Sequence, residues 1–143
     1  MAAPRSQHHP RSQSRLSTAA SGAICRVDRL TFTWDFVVTL PRAIDEARLA
    51  ARDRADWRAF VRSLRAHELH HRSIFLDCGQ RFVPAAAKLT APTCPALDTA
   101  VRHFLDTQYA ACMTRQQAFD RADTPHQPSA PFIALSTAEQ LEH

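Results

Sequence analysis

At 143 residues and 45% hydrophobic content, this chain suits a single small globular domain with one core. Its net charge of +4 comes from arginines that are interleaved with Asp28, Asp45, Glu46, Asp53, Asp56 and Asp77, so a solvated surface explains them better than a nucleic-acid footprint does. With Gly22 and Gly79 as its only glycines the chain has no phosphate-cradling loop, and none of its apolar runs is long enough to span a membrane.

Residues 1–22 are rich in Ser, Ala, Arg, Gln and Pro and offer little to bury, which predicts a flexible polar arm in which His8-His9 is incidental. No secretory h-region follows Met1, so an exported form would need a signal not present in this sequence. From Ile24 to Leu40 the density of Val, Thr, Phe and Trp predicts one or two strands ending at Pro41. Ala43 to Arg54 is helix-prone, and Asp53 or Asp56 is placed to cap a main helix over about Asp56 to Phe82, which Pro84 interrupts. Thr90 to Pro95 is a connector. A second amphipathic helix over about Ala96 to Arg121 carries the stripe Leu97, Val101, Phe104, Leu105, Cys112 and Phe119, with His103 on its outer face. Prolines 125, 128 and 131 then end regular structure, and residues 129–143 read as a tail.

The main helix holds the most informative string, His67-Glu68-Leu69-His70-His71. Two histidines four apart on a helix share one face about 6 Å apart along its axis, close enough to grip one zinc ion, with the intervening glutamate beside a metal-bound water. Trp57, Phe60, Val61, Leu64, Ile74, Phe75, Cys78 and Phe82 follow 3.6-residue spacing, and that stripe extends through His67, Glu68 and His71. Three polar groups on a buried face cost several kcal/mol without partners, and a metal with its ordered water satisfies all three. The alternative is a helix with two hydrogen-bonded core histidines and Glu68 paired to an arginine. His70 points elsewhere.

Cys25, Cys78, Cys94 and Cys112 have no C-x-x-C spacing, which argues against a zinc ribbon or a thioredoxin-type pair. Two disulfides, as suit an oxidising compartment, are allowed, with the pairing open. Cys25 and Cys94 are free to meet, and Cys78 and Cys112 could equally be buried thiols.

A strand leading into Leu40-Pro41, then Trp57, Phe60 and Leu64 before His67-Glu68 and His71, then Phe119-Asp120 and Thr124-Pro125-His126, resembles a bacterial domain-of-unknown-function family described as predicted secreted zinc-dependent proteases, over roughly residues 23 to 127. The resemblance implies His126 as a third ligand beside His67 and His71, in the place where members close with Thr-x-His-Gly; Gln127 stands here for that glycine. Asp120 then reads as an acceptor for a ligand imidazole, or as a charged residue near a helix end.

Together these readings predict an α+β, minimal zincin-like domain over residues 23–128, with short N-terminal antiparallel strands followed by a long active-site helix and a second long helix. The expected function is that of a secreted or periplasmic zinc metallopeptidase acting on peptides or proteins with a metal-activated water and Glu68 as general base. A non-catalytic, zinc-stabilised binding module with the same fold is the alternative.

Overall fold

Strand β2 (Ile24–Ala43) sets the frame. Its Val-, Thr- and aromatic-rich sequence favours extended backbone, and in its second half Phe36, Val38 and Leu40 alternate onto one buried face at the two-residue period of a strand. In a computed structural model, which describes residues 5–123 and the backbone of 136–142, β2 is the shared strand of an antiparallel sheet. It pairs with β1 (Gln7–Ser21), with the two-residue β3 (Thr90–Ala91) in the register Cys25↔Ala91, and with β4 (Ser136–Glu142) from Val37↔Glu142 to Ala43↔Ser136. Between and after the strands lie two long helices, α1 (Ala51–Ala86) and α2 (Cys94–Ala122), which makes the chain α+β.

Four expectations about the strands change. Residues 7–21 form a strand of a hairpin rather than a flexible arm, because β2 extends back to Ile24 and offers a row of backbone donors and acceptors that a polar segment can pair without burying side chains. Gly22, with φ of 63°, supplies the left-handed conformation that a two-residue hairpin turn needs. The strands are 15 and 20 residues long, not short, and β2 runs through Pro41, which is buried opposite Ala138. Ser136–Glu142, expected as tail, adds as a strand along β2, since the proline block ends at Pro131 and the segment beyond it can donate to a ladder.

Helix α1 is longer than expected at both ends. Its entry follows a 3-10 turn over Glu46–Arg48, and the Arg54 guanidinium donates to the carbonyls of Glu46, Ala47 and Leu49 at 3.3, 3.0 and 3.0 Å. Pro84 falls in the last turn, where only one intrahelical bond is lost, and Ala87 N–H still reaches Val83 O at 3.0 Å. At the start of α2, Thr93 Oγ1 accepts from Ala96 N–H at 3.2 Å, and Pro95 sits in the first turn, where its missing N–H costs nothing.

The chain divides into two compact units. The first comprises Met1–Pro10, Asp35–Arg72 and Asp120–His143, and its buried apolar side chains are Phe36, Val38, Leu40 and Ala43 from β2 with Trp57, Phe60 and Leu64 from α1. Burying each of the larger ones contributes roughly 1.5–3 kcal/mol, which offsets the cost of Glu68 and His71 on the same helical face.

The second unit comprises Arg11–Trp34 and Ser73–Phe119. Ile74, Phe75, Cys78, Phe82, Leu97, Val101, Leu105 and Cys112 are buried there, so the apolar stripe of α2 is as expected, save that Gln116 joins it and Phe104 and Phe119 are half-buried. Trp34 meets Phe75, Phe32 and Tyr109 at ring-centroid distances of 4.7, 5.1 and 6.0 Å, and its indole Nε1 lies against Gly79, the one place where a helical glycine is needed for close approach. All four cysteines are paired, Cys25 with Cys94 and Cys78 with Cys112, so neither helical cysteine is a free thiol. No helix among the described residues is long and apolar enough to cross a membrane.

Candidate metal centre

Among the described residues, the site is built within the first unit from three stretches of chain. Helix α1 presents His67, Glu68 and His71 from its inward face, as the spacing predicts: Glu68 is 3% exposed and His71 fully buried, while His70 is exposed. The rings of His67 and His71 meet edge to face with centroids 4.8 Å apart. The last turn of α2 and the residue after it bring Asp120 and Asp123, and the start of β1 brings Ser6 and His8.

His67 Nε2, His71 Nε2 and Asp120 Oδ1 form a triangle with sides of 3.2, 2.7 and 3.0 Å. Donors on a tetrahedral zinc, at bonds of about 2.0–2.1 Å, lie about 3.3 Å from one another, so the three atoms are spaced like one face of such a site drawn in by a few tenths of an ångström. Their protonation is constrained by Asp123, whose Oδ2 lies 2.7 Å from His67 Nδ1. An ionised carboxylate only accepts, so His67 Nδ1 carries the proton, and in the neutral ring Nε2 is left as a lone pair. That lone pair faces a carboxylate oxygen. Without a metal, a second proton on Nε2 would pair His67 with Asp120 at 3.0 Å. A metal ion would meet all three donors at once, with Asp123 then fixing the tautomer as a carboxylate behind a ligand histidine does.

Glu68 has its own partners. Ser6 Oγ donates to Oε1 at 2.6 Å and His8 Nδ1 donates to Oε2 at 2.5 Å. Burial pushes this carboxyl up, but the bonds from His8 and Ser6, with the charges of His8 and His71, outweigh it and hold the group below the ordinary glutamate range. Glu68 is therefore a buried carboxylate that stays ionised. The His8 ring is sandwiched between Phe36, stacked at 5.5 Å and 16°, and His71 at 4.3 Å.

Among the described residues, two groups of side chains have the spacing to hold an ion: His67, His71 and Asp120, and His8, Glu68 and His71. The first joins both predicted ligand histidines, with Asp120 as the third corner. His126 lies outside the described residues. His103 is exposed on α2, as expected. His8 and Ser6 were missed by sequence reasoning because the segment carrying them read as an arm; that residues 6 and 8 share a face follows only once the segment is known to be extended.

The fold and this cluster of imidazoles and carboxylates define an α+β protein whose first long helix carries an H-E-x-x-H face. The chain belongs to DUF922, a bacterial family of unknown function, whose model matches residues 3–127. The match takes in β1, so the family's domain starts well before residue 23. No curated protein and no solved structure matches the chain.

Proposed function

We propose that this protein is a zinc-dependent metallopeptidase in which His67 and His71 hold the ion, Glu68 is the general base, and peptides or proteins are the substrates. One observation supports the reading: His67 Nε2, with its ring proton committed to Asp123, converges with His71 Nε2 and Asp120 Oδ1 at the spacing of one face of a tetrahedral metal site. Asp120 is the third donor this geometry favours, and His126 is the one the sequence resemblance implies.

Bound zinc would supply Lewis acidity, polarising a carbonyl and lowering the pKa of a water toward about 7. The remaining roles belong to the chain. Glu68, ionised and one residue after the first ligand, takes a proton from the attacking water and hands it to the leaving amine. Asp123 keeps His67 in the ligating tautomer. Both disulfides suit the secreted or periplasmic setting in which such an enzyme would work.

The test is metal content and peptide hydrolysis of the parent beside His67→Ala, Asp120→Asn, His126→Ala and Glu68→Gln. The expected outcome is stoichiometric zinc in the parent, its loss in His67→Ala and in one of the two third-ligand variants, and retained zinc without hydrolysis in Glu68→Gln. Loss of zinc in both third-ligand variants would mean four protein donors, a closed structural site and a binding module instead. A parent that binds no zinc ends the proposal.

A further inference from the structure

Glu68 is held by two groups of unequal firmness, and the difference bears on how it works. The Ser6 hydroxyl on Oε1 comes from the residue before β1 begins and is a small rotor that a water can replace. The His8 imidazole on Oε2 belongs to β1 itself, and its ring is wedged between Phe36 and His71, so it has little freedom to leave. Glu68 is 3% exposed, and a buried carboxylate with one oxygen pinned keeps a single rotamer. Resting on the peptidase reading above, we propose that His8 is a positioning residue for Glu68: its Nδ1–H anchors Oε2, so that Oε1, the oxygen with the exchangeable partner, is the one presented to the water.

This assigns a catalytic purpose to the N-terminal strand. The base and the two inward-facing histidines, His67 and His71, come from α1, but the aim of the base is set by a residue about 60 positions earlier in the chain. The role needs a hydrogen-bond donor at the position of Nδ1 and does not need a ring. His8→Asn keeps an N–H donor close to that position and removes the ring, and His8→Phe keeps a ring between Phe36 and His71 and removes the donor.

The experiment uses the full chain loaded with zinc. Steady-state kinetics on a quenched fluorescent peptide that the parent cleaves is paired with 13C NMR of the glutamate side-chain carboxyls, of which the chain has four, the Glu68 signal being assigned by its absence in Glu68→Gln. His8→Phe is expected to lower kcat by about 10- to 100-fold, with KM within about twofold and zinc content unchanged, and to move or broaden the Glu68 carboxyl signal. His8→Asn is expected to recover most of kcat and the parent signal. Full activity and an unchanged Glu68 signal in His8→Phe would overturn the proposal, as would a defect in His8→Asn equal to that of His8→Phe, which would make the ring a packing element. Should Glu68→Gln hydrolyse the peptide as well as the parent, the peptidase reading falls and takes the catalytic half of this proposal with it. The carboxyl signal in His8→Phe still decides separately whether His8 holds Glu68.

Discussion

If His67 holds zinc as proposed, replacing Asp123 by Asn separates a residue that orients a ligand from one that is a ligand. Asp123 Oδ2 lies 2.7 Å from His67 Nδ1 and makes none of the three contacts of the Nε2, Nε2, Oδ1 triangle. The variant keeps shape and removes the charge that fixes the proton on Nδ1, so part of the His67 population adopts the tautomer whose Nε2 carries hydrogen and cannot ligate. Carboxylates behind ligand histidines are typically worth 10- to 100-fold in metal affinity. The side chain of Asp123 is 45% exposed, so water screens its charge and stands in for part of its bond, which puts the expected loss at the lower end, about 10-fold or about 1.4 kcal/mol. Asp120→Asn, which weakens a direct donor, is expected to cost more. The assay is a competitive titration of the metal-free protein with zinc against a chromophoric chelator, at fixed pH because ligand protonation is linked to binding. A loss in Asp123→Asn equal to or above that in Asp120→Asn would refute the assignment and make Asp123 a ligand. No loss at all would refute the tautomer argument on which the metal centre rests.

Three further outcomes test the rest of the molecule. Gly79→Ala would set a methyl 3.2 Å from Trp34 Nε1, and the indole is hemmed in by Phe32, Phe75 and Tyr109, so the helix-propensity gain of about 1 kcal/mol should be outweighed and the urea midpoint should fall; a rise would show that Trp34 has room to shift. Removing the Cys25–Cys94 bridge, with a sequence separation of 69, should destabilise by about 4.4 kcal/mol and removing Cys78–Cys112, with a separation of 34, by about 3.8 kcal/mol, from loop entropy alone; equal and small losses of under about 1 kcal/mol in denaturant melts of the two Ser pairs would contradict this. Asp77 accepts from Arg115 at 2.9 Å and, by that bond first, its carboxyl is held below the usual range, against a desolvation penalty and with help from Arg81. Folding therefore favours its ionised form, and its contribution is present above the unfolded aspartate value of about 3.9 and is lost as pH falls through the lowered folded value. The stability gap between parent and Asp77→Asn should narrow from pH 7 to pH 2.5, and a constant gap would show that Asp77 acts through packing.

How far the sequence carried the argument differs by element. The positions of α1 and α2 were readable because a 3.6-residue apolar stripe is a local signal, and Trp57, Phe60, Leu64, Phe75 and Phe82 are buried where it put them. His67, Glu68 and His71 were readable for the same reason, since their spacing on one helical face depends on nothing outside α1. Strand β1 was not readable: pairing along β2 satisfies its backbone, and its side chains, mostly exposed and polar, carry no hydrophobic period. Strand β4 likewise shows only through its partner.

Which residues complete the site is a question of another kind. Asp120 and Asp123 are charged residues near a helix end until the fold sets them 53 and 56 positions back against His67. Ser6 and His8 are noise in a polar segment until β1 delivers them to Glu68. The amino-acid order by itself determined the α+β character, the two helices and the H-E-x-x-H face, because each follows from the preferences of neighbouring residues. Tertiary structure alone decided the cysteine pairing, the carboxylates that face the histidines and the partners of the buried glutamate, because each joins groups far apart in the chain, and no local periodicity records which distant segment will arrive.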